Sequence, residues 1–426
     1  MSASDEKAAP DVRMRGFARR HTVSQAWAWL QRHSEPLPPV TVPLEQAAGR
    51  VLAQQVVSPL DVPSFPRAMM DGYALRGEET QGASPYNPLE FAVVGQSLPA
   101  RPYSGTVGPG QAVRIMTGAP MPAGADAVLP VEQCQAEGDR LLAQGEVPPK
   151  KNVGEVGEDV ARGQVLFEPL RRLRPQDLGV LSSLGMTFVE VVRPVRVKVL
   201  ITGNEVVPPG RPKGPYAIYD ANGPMLEALV RRDGAELVAR RMVPDEEERL
   251  RAELEDPQAD VVLISGGSSV GQEDLAPQLV AQLGELPIHG VAMRPSSPAG
   301  LGRIGSALVF LLPGNPVSCL CAYDFFAGRA IRRLGGLPGG WPYPRVRLPL
   351  ARKLVSQVGR TDYARVVLDS QGRVAPVAVS GASILSSTTR ADGFVVIPED
   401  SEGYAEGATV EVFLYDPFTA TEFFQE

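Results

Sequence analysis

Hydrophobic and polar positions change their rhythm several times along this chain. Residues 196–335 show the clearest pattern, in which apolar runs alternate with amphipathic stretches. VRVKVLI, AELVARRMV, ADVVLIS, LPIHGVAM and SALVFLL read as strands. Helix-period segments fall at 224–232, 246–255, 274–283 and 317–334. Asn222 is the expected N-cap of the first, and Asp233-Gly234 its stop. Asp245 with Glu248 has capping-box spacing for the second. Strands separated by single helices predict a doubly wound parallel sheet.

On either side the rhythm differs. TVSQAWAWLQRH at 22–33, residues 44–54 and RPQDLGVLSSL at 174–184 have helical spacing. From 58 to about 156, short apolar stretches are broken by Gly and Pro, which predicts a mostly β domain. From 341 to 426 five evenly spaced strand-like segments predict a small β barrel or sandwich. The fold class expected is therefore α/β multidomain, without internal repeats.

Composition narrows the function. Three cysteines (Cys134, Cys319, Cys321) make no disulfide framework, and three scattered histidines make no zinc site. A net charge of −7 argues against general nucleic-acid binding. No run of 18 apolar residues predicts a membrane span, and the polar start lacks a signal-peptide core, so a cytoplasmic location is expected. An anionic ligand would need a local basic patch, backbone N–H groups or a divalent metal.

In an open parallel sheet, ligands bind beyond the carboxyl ends of the strands. The expected ends here are Thr202-Gly203-Asn204-Glu205, Pro244-Asp245, Ser265-Gly266-Gly267-Ser268-Ser269 with Asp274, Arg294-Pro295-Ser296-Ser297-Pro298, and Pro313-Gly314-Asn315-Pro316-Val317-Ser318. Each could be a plain loop, and Asp245 could merely cap its helix. Glycine turns combined with carboxylates on one edge suggest a phosphate-containing ligand with Mg2+. No GxxxxGK[ST] occurs, nor a GxGxxG directly after a strand, so the common NTPase and dinucleotide readings are weak.

Seven motifs then occur in order: PRAMMDGYAL, RIMTGAPMPAGADAVLP, KNVGEVGEDV, LITGNEVVPPG, YAIYDAN, ISGGSSVGQED and LLPGNPVSC. Together they resemble the molybdopterin molybdenumtransferase family, the MoeA and gephyrin E-domain group. The resemblance implies a linking and dimerisation domain (15–57 with 156–193), a mostly β domain (58–155), a doubly wound molybdopterin-binding domain (194–340) and a C-terminal β barrel (341–426). It implies a homodimer that takes adenylated molybdopterin and molybdate and, with Mg2+, releases AMP. A molybdopterin adenylyltransferase and molybdoenzyme maturation factors are the protein partners implied; no nucleic acid or membrane is.

By position, the resemblance makes Asp71, Glu205 and Asp274 the catalytic carboxylates, and Glu205, Asp245 and Asp274 the metal ligands. Thr117, Asp159, Gly266, Gly267, Ser268, Arg294, Ser297, Gly314, Asn315, Ser318 and Ser387 would bind substrate or phosphate. Blander readings stand beside some of these. Asp71 fits a simple Asp-Gly turn, Met69 and Met70 fit packing, and Ser387 fits a barrel-loop hydroxyl. The chain departs from the family at Pro295-Ser296-Ser297-Pro298, where Pro-Gly-Lys-Pro is usual. Arg294 keeps one charge there, and Arg67 is a candidate replacement. Two alternatives follow: a diverged non-catalytic paralogue acting as carrier or regulator, and a molybdopterin adenylyltransferase.

Overall fold

The computed structural model describes residues 20–267, 275–378 and 381–416. Ser268 and Asp274, with the neighbouring Ser269 and Glu273, lie outside the described residues. The chain divides into two compact units. One comprises residues 41–48 and 54–189, and the other holds the rest.

The larger unit is built on six strands: β1 (Arg196–Thr202), β2 (Glu236–Val243), β3 (Val261–Ser265), β4 (Glu285–His289), β5 (Gly300–Ile304) and β6 (Ala307–Leu312). They lie in the order β2-β1-β3-β6-β5-β4. Alternate side chains of β1, β3 and β6 enter two separate cores. Val197, Val199, Ile201, Val261, Leu263 and Phe310 enter one, together with α1 (Asn222–Arg232) and α4 (Pro316–Ala322). Leu200, Val262, Ile264 and Val309 enter the other, with α2 (Glu247–Glu255) and α3 (Ala276–Leu283). Burial on both faces is why these strands read as continuous apolar runs.

The sheet is not wholly parallel. Strand β5 runs antiparallel to β6 and to β4, while the other neighbours are parallel. Gly305, at φ 58°, and Ser306 close a two-residue β5–β6 hairpin that needs no crossover helix. Gly300 and Gly302 hide β5 in the sequence, yet a Cβ at Gly302 would run into the Glu285 carbonyl. Because two reversals restore direction, β4 points the same way as β1, β2, β3 and β6. Five carboxyl ends therefore share one edge.

The segment after α4 continues through a π turn, Tyr323–Ala327, into Gly328–Leu334. Within that turn the buried Asp324 receives hydrogen bonds from Arg232 (3.0 Å) and the Tyr343 hydroxyl (2.8 Å), which ties the end of α1 to this layer. Helix Val23–His33 opens with a capping box between Thr22 and Gln25 and packs on the same core, with Trp27 Nε1 donating to the Phe325 carbonyl at 2.9 Å. The helix expected over 44–54 is only a 3-10 turn, Leu44–Gln46, because Gly49 at φ 75° interrupts it.

Beyond Leu334 the strands Arg345–Pro349, Thr361–Leu368, Gly393–Ile397 and Thr409–Leu414 form one sheet, with Met293–Arg294 at its edge and Val374–Ala378 branching from Thr361–Leu368. Among the described residues this ladder does not close, so it is a half-barrel where a closed barrel or sandwich was expected. One edge is occupied by Met293–Arg294, lent from the preceding segment.

The smaller unit holds a six-stranded sheet ordered Ala127–Pro130, Gly72–Leu75, Gln111–Ile115, Leu89–Ser97, Arg140–Ala143, Cys134–Glu137. Gly72 pairs with Ile115, which brings Asp71 beside the turn after Ile115. No helix among the described residues is long and apolar enough to cross a membrane.

Candidate active site

Beyond the shared carboxyl edge of the larger unit lies a cavity of about 650 Å3. Loops after β1, β3 and β6 line it with Thr202, Gly203, Glu205, Gly266, Gly267, Gly314 and Asn315, and Asp245 joins from the end of β2. Pro298 and Ser383 complete the wall together with the start of α1, including Asp220 and Asn222.

Asp245 does not cap α2. The N-cap there is Glu246, without a side-chain cap bond. Instead, Asp245 Oδ2 accepts from the Asn204 N–H at 3.1 Å, and Asn204 Oδ1 accepts from the Asp245 N–H at 3.2 Å. This reciprocal pair staples the β1 and β2 ends and holds the Asp245 carboxylate at the cavity. Glu205 is exposed beside it. Asp220, also in the wall, accepts from the Gly223 N–H through Oδ1 at 2.7 Å, so it starts α1 in place of the expected Asn222 cap.

Asn222 has a different task. Its Nδ2 donates to Ser265 Oγ at 2.9 Å and to the Gly314 carbonyl at 2.7 Å, joining three loops. Its Oδ1 and Thr202 Oγ1 are buried without a partner among the described residues. Such groups are uncommon in a folded interior, and at a cavity wall they are suited to ligand contact. Neither was picked out as a binding residue from sequence. A buried Asn at the first turn of a helix that faces a strand end is the signal that could have found it.

Gly266 and Gly267 both have left-handed φ, 102° and 54°. A Cβ at Gly266 would lie 2.5 Å from the Thr202 carbonyl, so glycine is required for the β3 end to pass β1 this closely.

Other candidates sit elsewhere. Arg294 is ion-paired with the buried Asp362 (2.5 Å), which also receives Arg360 at 3.1 Å. Ser297 Oγ is buried without a partner among the described residues and is not in the cavity wall. Ser387 donates to the Ile384 carbonyl at 2.6 Å within its own turn, whereas Ser383 reaches the cavity and bonds Asn315 Oδ1 at 2.9 Å. Ser318 is buried in α4, and its carbonyl accepts from Ser296 Oγ at 2.5 Å. Ser296 holds a left-handed φ of 85°, which favours glycine. Ser296→Ala is expected to cost about 1–2 kcal/mol, since the strain remains and the bond is lost. Ser296→Gly is expected to be near neutral, within about 1 kcal/mol, because strain relief offsets the lost bond. Chemical denaturation of both variants checks this.

In the smaller unit, Asp71 Oδ1 accepts from both the N–H and the hydroxyl of Thr117, each at 2.7 Å. These two bonds hold the Asp71 carboxyl below its ordinary pKa against some desolvation, with the smallest contribution from Arg114. The depressed value means that any stabilisation from these bonds is present above the ordinary carboxylate pKa and is lost as pH falls through the folded one. Thr117→Val should move the Asp71 titration upward in carboxyl-resolved NMR, part of the way because the backbone bond remains. An unmoved titration would contradict the assignment. Asp159 is exposed, with its N–H on the Val62 carbonyl at 3.1 Å. Arg67 pairs with Glu158 at 3.1 Å.

The cavity's charged lining among the described residues is Glu205, Asp220 and Asp245, with no Lys or Arg. No three His, Cys, Asp or Glu side chains among the described residues converge as a metal cage. Two carboxylates at a cavity are nevertheless a fit for Mg2+, which usually takes one or two carboxylates and completes its shell with water and phosphate oxygen.

Three family models match the chain in order: "MoeA N-terminal region (domain I and II)" over 21–185, "Probable molybdopterin binding domain" over 198–333, and "MoeA C-terminal region (domain IV)" over 347–415. Molybdopterin molybdenumtransferase 2 of Mycobacterium tuberculosis is 37% identical over 389 residues, covering 88% of this chain and 95% of that protein. The molybdopterin molybdenumtransferase of Haemophilus influenzae is 33% identical over 386 residues, covering 88% and 93%. A crystal structure of the molybdopterin biosynthesis MoeA protein of Pyrococcus horikoshii OT3 superposes with a TM-score of 0.77 at 30% identity, over 93% of this chain and all (100%) of the other. The ordered motifs, the cavity at the sheet edge and the end-to-end similarity agree: this chain belongs to the molybdopterin molybdenumtransferase family, the MoeA group.

Proposed function

We propose that this protein is a molybdopterin molybdenumtransferase of molybdenum cofactor biosynthesis. It takes adenylated molybdopterin and molybdate, releases AMP, and yields molybdenum bound by the dithiolene sulfurs. The observation that carries the reading is the carboxylate-lined cavity at the sheet edge, in a chain similar to molybdenumtransferases along nearly its whole length.

Glu205 and Asp245, with Asp274 of the same edge by sequence position, would hold Mg2+. When bound there, the ion supplies charge neutralisation to the phosphoanhydride. The chain's own residues have separate tasks. The left-handed Gly266-Gly267 turn brings backbone close to phosphate, and Asn222 fixes the loops around it. Thr202 Oγ1 and Asn222 Oδ1 offer buried polar atoms to the ligand. Asp71, kept ionised by Thr117, is proposed as a further catalytic carboxylate, with Asp159 contributing from the same unit. The active form is proposed to be a cytoplasmic homodimer, organised in the four domains set out by sequence.

A non-catalytic, ligand-binding paralogue is the second reading. It is favoured by one observation: the Arg294 charge is engaged by Asp362 and the Ser297 hydroxyl is buried, so neither belongs to the cavity wall. Genetic complementation separates the two. In a bacterium lacking its own molybdenumtransferase, the chain should restore a molybdenum-dependent enzyme at low external molybdate. A folded, expressed protein that restores nothing would favour the carrier.

A further inference from the structure

Residues 203–221 leave the sheet as a flap whose stem is part of the cavity wall. Val206–Val207 pairs in parallel with Ile218–Tyr219. The Ile218 N–H donates to the Glu205 carbonyl at 2.8 Å, and the Asp220 N–H to the Val207 carbonyl at 2.9 Å. The stem is thus anchored at Glu205 and Asp220, two of the three residues whose carboxylates line the cavity. Between its arms runs PPGRPKGPYA, residues 208–217, in which four prolines limit the shapes available to the loop. Lys213 Nζ donates to the Ala217 carbonyl at 3.0 Å, closing the tip on itself.

Tyr219 is the only aromatic side chain among the described residues of the cavity wall. It remains 46% exposed, with Lys213 Nζ over its ring at 5.8 Å from the centroid. A packing role explains neither feature. A half-exposed ring buries only about half of the apolar area that a core position would bury, and an exposed cation–π contact adds only a small stabilisation. The wall itself contains three carboxylates and no basic side chain among the described residues, so Lys213 is the cation that the flap brings next to it.

We propose that Tyr219 and Lys213 form the recognition rim of this cavity for a planar heterocycle carrying a phosphate. The Tyr219 ring stacks on the heterocycle, and Lys213 pairs with the phosphate. This rests on the transferase reading for the identity of the ligand. Its substrate offers two such groups, the adenine nucleotide and the pterin phosphate.

Calorimetry with Mg2+ present, using AMP and 6-hydroxymethylpterin phosphate as separate probes, distinguishes the sources. Tyr219→Ala is expected to weaken one probe by about tenfold or more, as loss of a base-stacking ring does. Tyr219→Phe should retain that affinity, because stacking needs the ring and not the hydroxyl. Lys213→Ala should weaken the same probe and flatten its salt dependence. Tyr216→Ala is the flap control, since Tyr216 is 93% exposed and outside the wall, and it should bind as wild type does.

The probe that Tyr219→Ala loses names the half of the substrate at the rim. The proposal is overturned if wild type binds neither probe, if Tyr219→Ala binds both unchanged, or if Tyr216→Ala loses as much. Failure of the transferase reading looks different. Wild type would then release no AMP from adenylated molybdopterin while Tyr219→Ala still lost a probe.

Discussion

Glu205→Ala and Asp245→Ala, made separately, are expected to reduce AMP release by about 100- to 1,000-fold, in the range seen when a positioned acid–base or metal-holding group is removed. Both side chains border the cavity, and neither holds up a core. Glu205 contributes to the fold through its carbonyl, which accepts the Ile218 N–H, and alanine keeps that bond. Asp245 accepts from the Asn204 N–H, so its removal should also cost about 1 kcal/mol of stability. Glu205→Gln preserves shape and removes charge, so it should behave like alanine in the assay. If the carboxylates hold Mg2+, the residual activity should require more Mg2+ than wild type does. Wild-type rates in all three variants would remove this edge from the chemistry.

The second large effect is expected from Gly266→Ala. The φ of 102° and the 2.5 Å approach of a Cβ to the Thr202 carbonyl act together, and 2.7 Å to Thr202 Oγ1 leaves no side-chain escape. Left-handed strain and overpacking each cost about 1–3 kcal/mol, so a combined loss of roughly 2–6 kcal/mol is expected. Relaxation would open the β1–β3 ends and displace the Thr202 hydroxyl, so ligand affinity should fall as well. Gly314→Ala is the matched comparison. Among the described residues its Cβ would meet only Gly266 Cα, at an ordinary 3.6 Å, and the change should stay within about 0.5 kcal/mol. Equal stability of the two variants in denaturant would refute this account of the loop.

The parts of this molecule that were legible in sequence are those decided locally. VRVKVLI and VVLIS bury both faces, and no short segment other than a central strand does this so compactly. The 3.6 period of Leu226 and Val230 marks the helix that covers them. Where tertiary partners decide, the sequence was silent. Gly300–Ile304 is a strand because Glu285–His289 and Ala307–Leu312 supply its ladder, against its glycines. Asp245 has every attribute of a cap, but Asn204, forty-one positions earlier, takes its carboxylate instead. Ser383 and Ser387 are equivalent on paper, and the direction of one short turn places only Ser383 at the cavity. The ion pair of Arg294 with Asp362 of the half-barrel, sixty-eight positions later, has no local signature either. Pairings between distant segments leave no periodicity to read.

Molybdenum transfer at this sheet edge is decided by AMP release from adenylated molybdopterin, measured on the wild-type protein with Mg2+, with and without molybdate, alongside an active relative in the same assay. Molybdate-dependent release is the predicted result, and it would show that Ser296 and Ser297 are compatible with turnover. No release from folded protein, with the relative active, would contradict the claim and leave a ligand-binding paralogue.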